Sequence, residues 1–270
     1  MKSRLLAFVF AATAAFALVT GSASADPLTP GGPTPVPAPI AAPTASPNST
    51  AATPALADGC YTWGRVLSEG TTGEDVRQLQ IRVSGYPGYG ASIALDGQFG
   101  PATKAAVIRF QQAYGLTADG IAGAQTFNKI YALQDDDCTP VNFSYAELNH
   151  CNTTWAGGPL SAAAAKANAL VVMWQLQALR HALGDRPIGV NSGFRSYSCN
   201  SAAGGSSTSR HLYGDAADLA AGTIGFCNLA KEARYHGFEE ILGPGYPDHS
   251  DHTHVANKSS RFWSASQCGI

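Results

Sequence analysis

Three of the seven histidines in this 270-residue chain fall within six residues: His249, His252 and His254, with Asp248 and Asp251 interleaved. In Asp251-His252-Thr253-His254 the alternation matters. On a strand, residues two apart project to the same face, so His252 and His254 stand together. Two imidazoles on one rigid face are the start of a metal site. Further ligands are expected upstream, in Ser209-Arg210-His211-Leu212-Tyr213-Gly214-Asp215-Ala216-Ala217-Asp218. There His211 and Asp218 lie seven apart, and Gly214 between them can turn the chain so that both side chains meet. One histidine, one aspartate and one histidine of the D-H-T-H strand make three N/O ligands. Three protein ligands plus water is the open arrangement of a catalytic zinc, whereas a closed structural site takes four ligands, usually with cysteines.

Elements must bring these residues together. After Cys151 one amphipathic helix is expected, because Ala165, Ala169, Val172, Leu176, Leu179 and Leu183 recur at helical spacing. Gly184 is its expected C-terminal cap. Met173 and Trp174 lie off that stripe and are expected to pack as well. Short apolar runs follow, at Ile188 to Val190, Ala216 to Leu219, Glu240 to Leu242 and His254 to Ala256, and these read as strands. A helix at about 225 to 235 interrupts them. The pattern predicts an α+β domain over 139–270 with a small antiparallel sheet.

The segment 58–138 has a different texture. Val76, Leu79 and Val83 form a helical stripe, Pro101 opens a second helix, and Phe127, Ile130 and Tyr131 mark a third. The links repeat: Asp96-Gly97-Gln98-Phe99-Gly100 and Asp119-Gly120-Ile121-Ala122-Gly123 are both D-G-x-x-G turns leading into a helix. The phrases G-E-D-V-R-Q-L-Q, L-D-G-Q-F-G-P-A-T and F-Q-Q-A-Y-G-L-T-A-D-G-I-A-G resemble the three-helix peptidoglycan-binding domain of wall hydrolases, over about 68 to 133.

Ahead of it, Lys2 and Arg4 precede an apolar run from Leu5 to about Val19, then Ala23 and Ala25 in the A-x-A relation. This reads as a signal peptide over 1–25. Residues 26–57 are Pro-, Ala- and Thr-rich and hold more than half of the 16 prolines. They read as a linker or pro-segment with no core of its own. Export places the six cysteines in an oxidising compartment. Spacing alone leaves 15 pairings open. The simplest scheme without a bond between the two segments is 60–138, 151–199 and 227–268. None forms a C-x-x-C pair, which disfavours a thiolate zinc site. The net charge of −2 offers no basic field for nucleic acid. Beyond the signal peptide no stretch is apolar enough for a membrane, and nothing demands more than a monomer.

The two site motifs resemble the paired signatures of the zinc D-Ala-D-Ala carboxypeptidase family. The match falls at Ser209, His211, Gly214, Ala216 and Asp218, then at Asp251 and His254, and Ser192-Gly193-Phe194-Arg195 fits the family's arginine turn. A wall-binding domain ahead of the zinc domain is the layout of the secreted actinomycete type. The resemblance implies one Zn2+ held by His211, Asp218 and His254, with Asp251 as general base. It implies that Arg195 holds the developing oxyanion or the C-terminal carboxylate of the substrate. His252 is assigned to transition-state stabilisation, and His249 to the same or to orienting substrate. The implied activity is removal of terminal D-Ala from peptidoglycan stem peptides by an extracellular, wall-associated enzyme. An endopeptidase cutting within the stem or cross-bridge would use the same metal chemistry. A wall-binding protein with a structural zinc would lack Asp251 or Arg195.

Overall fold

The computed structural model describes residues 60–270, so the expected signal peptide and linker lie outside the described residues. Glu74 and Asp75 begin α1 (Glu74–Val83), where negative charge meets the free amides of the helix end. Pro101 stands in the first turn of α2 (Pro101–Ala113), where its missing N–H costs nothing. Gly115, at φ 65°, follows its end. α3 (Ala124–Ala132) completes the helical part.

The two D-G-x-x-G turns fold alike. Asp96 accepts a hydrogen bond from the Gln98 amide, and Asp119 from the Ile121 amide, each at 2.9 Å. Each turn is anchored by a buried glutamine from the preceding helix. Gln80 accepts from the Gly97 N–H and donates to Asp96, the Gln98 carbonyl and Thr103. Gln111 repeats the set with Gly120, Asp119, Ile121 and Thr126. A buried amide side chain must find such partners, and here it fixes the turn while doing so.

Ser161 caps α4 (Ala162–Ala182), its hydroxyl accepting from the Ala164 N–H at 3.2 Å. The predicted stripe is buried from Ala165 to Leu179 and half-buried at Leu183, and Met173 and Trp174 are buried too. α4 serves two apolar clusters. Val172, Leu176 and Leu179 pack with the sheet, while Trp174 and Ala178 belong to the cluster of α1, α2 and α3.

Beyond α4 come β1 (Val190–Ser192), α5 (Tyr197–Ala202), a 3-10 turn at Arg210–Tyr213 and β2 (Ala216–Leu219). α6 (Phe226–Ala233) precedes β3 (Glu240–Leu242), β4 (Thr253–Ala256) and β5 (Phe262–Ser264). The sheet order is β1-β2-β4-β3-β5. The α+β class holds, but the sheet is mixed rather than purely antiparallel, because β3 and β5 run parallel. The chain reverses after β4, whose two edges are already taken by β2 and β3. The next strand therefore settles on the open edge of β3. Phe262–Ser264 is too short to show a strand pattern in the sequence. Disulfides join Cys60–Cys138, Cys151–Cys199 and Cys227–Cys268, the simplest scheme.

Candidate metal centre

β2 and β4 pair so that Asp218 lies directly opposite His254. His211 comes from the 3-10 turn just before β2. Gly214 closes that turn at φ 74°, in the left-handed region that a side chain disfavours. A Cβ there would also meet the Ala165 carbonyl oxygen of α4 at 2.3 Å. The glycine between the two ligands is thus required twice, by conformation and by space.

The three ligand atoms converge. Asp218 Oδ1 lies 3.1 Å from His211 Nε2 and 2.9 Å from His254 Nδ1, and the two nitrogens are 3.2 Å apart. Metal–ligand bonds of about 2.0–2.1 Å in a tetrahedron set ligand atoms roughly 3.3 Å from one another. The geometry fits such a site, and these are the residues that could hold an ion among those described. All three are buried.

The outer nitrogens decide the tautomers. His211 Nδ1 donates to the Gly193 carbonyl at 2.6 Å, so its Nε2 lone pair faces inward. His254 Nε2 faces Glu240 Oε1 at 3.5 Å, an acceptor only, so its Nδ1 is the free ligand atom. Acceptors behind metal-binding imidazoles orient the rings and raise their basicity. Glu240 is itself paired with Lys258. Burial lowers the tendency of His211 to protonate, with Asp218 offsetting part of this, and a neutral imidazole is the ligand form. Burial opposes ionisation of Asp218, yet the charge and hydrogen bonds of the two histidines outweigh it and hold the carboxyl well below its usual range. The hydrogen bond with His254 is the largest cause drawing Glu240 down to about 2, so it is a carboxylate.

Arg195 stands at the centre. Its Nη2 donates to Asp218 Oδ2 at 2.6 Å and its Nε to Ser192 Oγ at 2.8 Å. Its Nη1 makes no hydrogen bond among the described residues. Gly193 makes this turn possible, because a Cβ there would sit 2.4 Å from the Leu148 carbonyl oxygen. His252 faces the same side as His254, as the alternation predicts, with Nε2 3.6 Å from Asp218 Oδ1. Its Nδ1 meets Asp251 Oδ1 at 2.8 Å. Asp251 is an exposed carboxylate, held below its ordinary range first by that hydrogen bond. The His249 ring lies 4.6 Å from that of His252 and 5.9 Å from that of His254. Tyr246 flanks His249, with ring centroids 5.2 Å apart, and Tyr213 stacks under Arg210. His181 and His236 bind backbone carbonyls of the helical part, at Ala113 and Gly85, and are packing residues.

Glu240 and the Gly193 carbonyl are the two supports that sequence reasoning missed. Glu240 sits in an ordinary strand run, two positions along from the residue paired with His254. Nothing in residue type or spacing marks it.

A buried His-Asp-His set with both rings locked, an arginine on the ligand carboxylate and two further histidines at the rim define a metal-dependent hydrolase site on an α+β fold. The profile of the Peptidase M15 family matches residues 141–256, and that of a peptidoglycan binding domain matches residues 72–130. The zinc D-Ala-D-Ala carboxypeptidase of Streptomyces albus G is 71% identical over 222 residues, covering 82% of this chain and 87% of that one. The chain belongs to the Peptidase M15 family and is a zinc metallopeptidase. Its helical part has other relatives. The N-acetylmuramoyl-L-alanine amidase CwlL of Bacillus licheniformis is 38% identical over 79 residues, 29% of this chain and 22% of that one. The crystal structure of the SleB N-terminal domain aligns at 38% identity and TM-score 0.24, over 27% of this chain and 96% of that one.

Proposed function

We propose that this chain is a zinc D-Ala-D-Ala carboxypeptidase that removes the terminal D-Ala of peptidoglycan stem peptides, with His211, Asp218 and His254 holding the metal. The observation that carries the reading is the convergence of those three ligand atoms at 2.9–3.2 Å, each ring locked from behind by its own acceptor. The 71% identity with the Streptomyces albus G enzyme supports the substrate.

Zinc held there supplies a water of lowered pKa and polarises the scissile carbonyl. The rest is done by the chain itself. Asp251 is ionised and exposed, so its carboxylate takes the proton of the attacking water and passes it to the leaving amine. His252 is turned by Asp251 so that Nε2 faces the centre, where it stabilises developing charge. The free Nη1 of Arg195 meets the oxyanion or the substrate's terminal carboxylate, and its fork suits either. His249 and Tyr246 flank the entrance and orient the peptide.

The helical part holds the enzyme on its insoluble substrate and raises the local concentration of stem peptides. The resemblance of that part to wall-binding modules supports a wall-associated protein. Secretion and a monomeric state complete the proposal.

The test is product analysis on a pentapeptide ending in D-Ala-D-Ala. The zinc-loaded enzyme releases free D-Ala, chelation abolishes release, and Asp251→Ala lowers it by at least about 100-fold, the usual worth of a general base. An untouched pentapeptide with new chain ends in cross-linked wall would replace this reading with an endopeptidase.

A further inference from the structure

A cavity of about 320 Å³ lies between the helical part and the zinc-site part, outside the metal centre. Pockets of this size at such junctions are where small ligands bind. One wall is apolar: Ile93 and Leu95 from the helical part, Val171 from α4. The rest of the lining includes polar residues of both signs of charge, Arg210, Asp215, Glu239 and Lys258, with the amides Asn168 and Asn257.

The polar lining is built yet unsaturated. Asp215 and Gln175 are both more than nine-tenths buried. Asp215 takes a two-pronged ion pair from Arg210 Nε and Nη2, which fixes the guanidinium. Arg210 Nη1 then has no hydrogen bond among the described residues. Asn257 Oδ1 accepts from Gln175 Nε2 at 3.0 Å, which turns the Asn257 amide nitrogen free. Gln175 Oε1 is a buried acceptor without a partner among the described residues, a costly state for a polar atom. Glu239 accepts the Lys258 N–H with Oε2 and has Oε1 to spare. Asn168 donates to the Tyr213 carbonyl and has Oδ1 to spare.

These spare groups sort by chemistry. Arg210 Nη1 and the Asn257 amide offer N–H donors, as a carboxylate requires. Glu239 Oε1 and Asn168 Oδ1 offer acceptors, as an ammonium requires. We infer that this cavity is a second binding site, for the zwitterionic head of an α-amino acid, its side chain against Ile93, Leu95 and Val171. The proposed reaction supplies one such ligand, free D-alanine. A stem peptide supplies another wherever a side chain ends in an α-amino-carboxylate. The inference rests on the proposed function only for this supply.

The test is calorimetric titration of the full chain, zinc-loaded and chelated, with D-alanine. A second titrant is a C-terminally amidated peptide whose side chain ends in an α-amino-carboxylate. At least one of the two binds, and binding survives chelation, which separates it from product in the metal centre. N-acetyl-D-alanine and D-alaninamide, each lacking one charge, bind at least about tenfold more weakly, the worth of one charge-assisted hydrogen bond. Ile93→Trp fills the cavity and abolishes binding. Glu239→Gln, which leaves packing intact, weakens it about tenfold on the same reasoning and serves if Ile93→Trp unfolds. Binding of D-alanine alone identifies a product site, and of the peptide alone an anchor for the stem. The inference is overturned if neither titrant binds, if chelation removes all binding, or if both variants bind as the parent does. Release of D-Ala from the pentapeptide is a separate readout, so failure of either proposal is visible without the other.

Discussion

At the scale of single residues, the metal centre depends on atoms that never touch an ion. His254 presents Nδ1 only while Glu240 accepts at Nε2, and Lys258 holds Glu240 in turn. Glu240→Ala leaves the His254 ring free to rotate or to change tautomer and less basic, and loss of such a support costs about 10- to 100-fold in metal affinity. Transfer of zinc from the protein to a coloured chelator measures this directly, without any substrate. Glu240→Gln keeps an acceptor at the same place and loses less; zinc retention as tight as the parent's in both variants would remove Glu240 from the centre. The three residues that converge were legible because two strand neighbours on one face and a histidine seven residues before an aspartate are local patterns. Glu240 was not, since its role follows from the pairing of β3 with β4, and registry between strands leaves no mark in the spacing of one strand. The same holds for Arg195. Its type and turn were readable, but not that one arm of its guanidinium is spent on Asp218 Oδ2 while another is free.

At the scale of elements, the site is held by turns that fit only one way. The 3-10 turn carrying His211 must reverse within three residues to enter β2, and Gly214 does so against the backbone of α4. Gly214→Ala adds a methyl 2.3 Å from the Ala165 carbonyl oxygen at a positive φ. Strain and overpacking together destabilise the fold by about 2–4 kcal/mol. Because the turn moves His211, zinc retention falls as well. Thermal melting and metal content, measured on the same preparation, check both effects; a variant that melts normally and keeps its zinc would show that the turn has slack. Helices were read well here, because stripes such as Val76, Leu79 and Val83 are periodic over several turns. Strand β5 escaped, because three residues cannot establish a period, and its parallel pairing follows from which sheet edge was open. The repeated D-G-x-x-G turns were visible as loops. The buried Gln80 and Gln111 that anchor them were not, since a glutamine on a helix reads as surface until its partners are known.

At the scale of the whole molecule, α4 joins what the sequence divides. The chain reads as a wall-binding segment followed by a catalytic one, with Cys138 near the boundary. Yet Trp174 of α4 lies in the apolar cluster of the helical part, its indole N–H donating to the Cys138 carbonyl at 3.3 Å. Arg82, a buried cation, stands 5.8 Å from the Trp63 ring and 5.9 Å from the Trp174 ring, and burial draws its pKa down to about 10. Gly85 lets α1 approach α4 so closely that a Cβ there would meet that of Ala178 at 2.5 Å. A helix buried on both sides couples the two clusters, so residues 60–270 should melt in one cooperative transition rather than two. Trp174→Ala removes the shared side chain and opens a cavity at the junction, at a cost of about 3–5 kcal/mol. It also leaves Arg82 without half of its aromatic enclosure. Scanning calorimetry should then resolve the single peak of the parent into two, with the helical part melting first. Trp174→Phe, which refills most of the volume, should restore a single transition at a lower temperature. Two peaks in the parent protein itself would mean that the clusters fold independently and that α4 belongs energetically to the sheet alone.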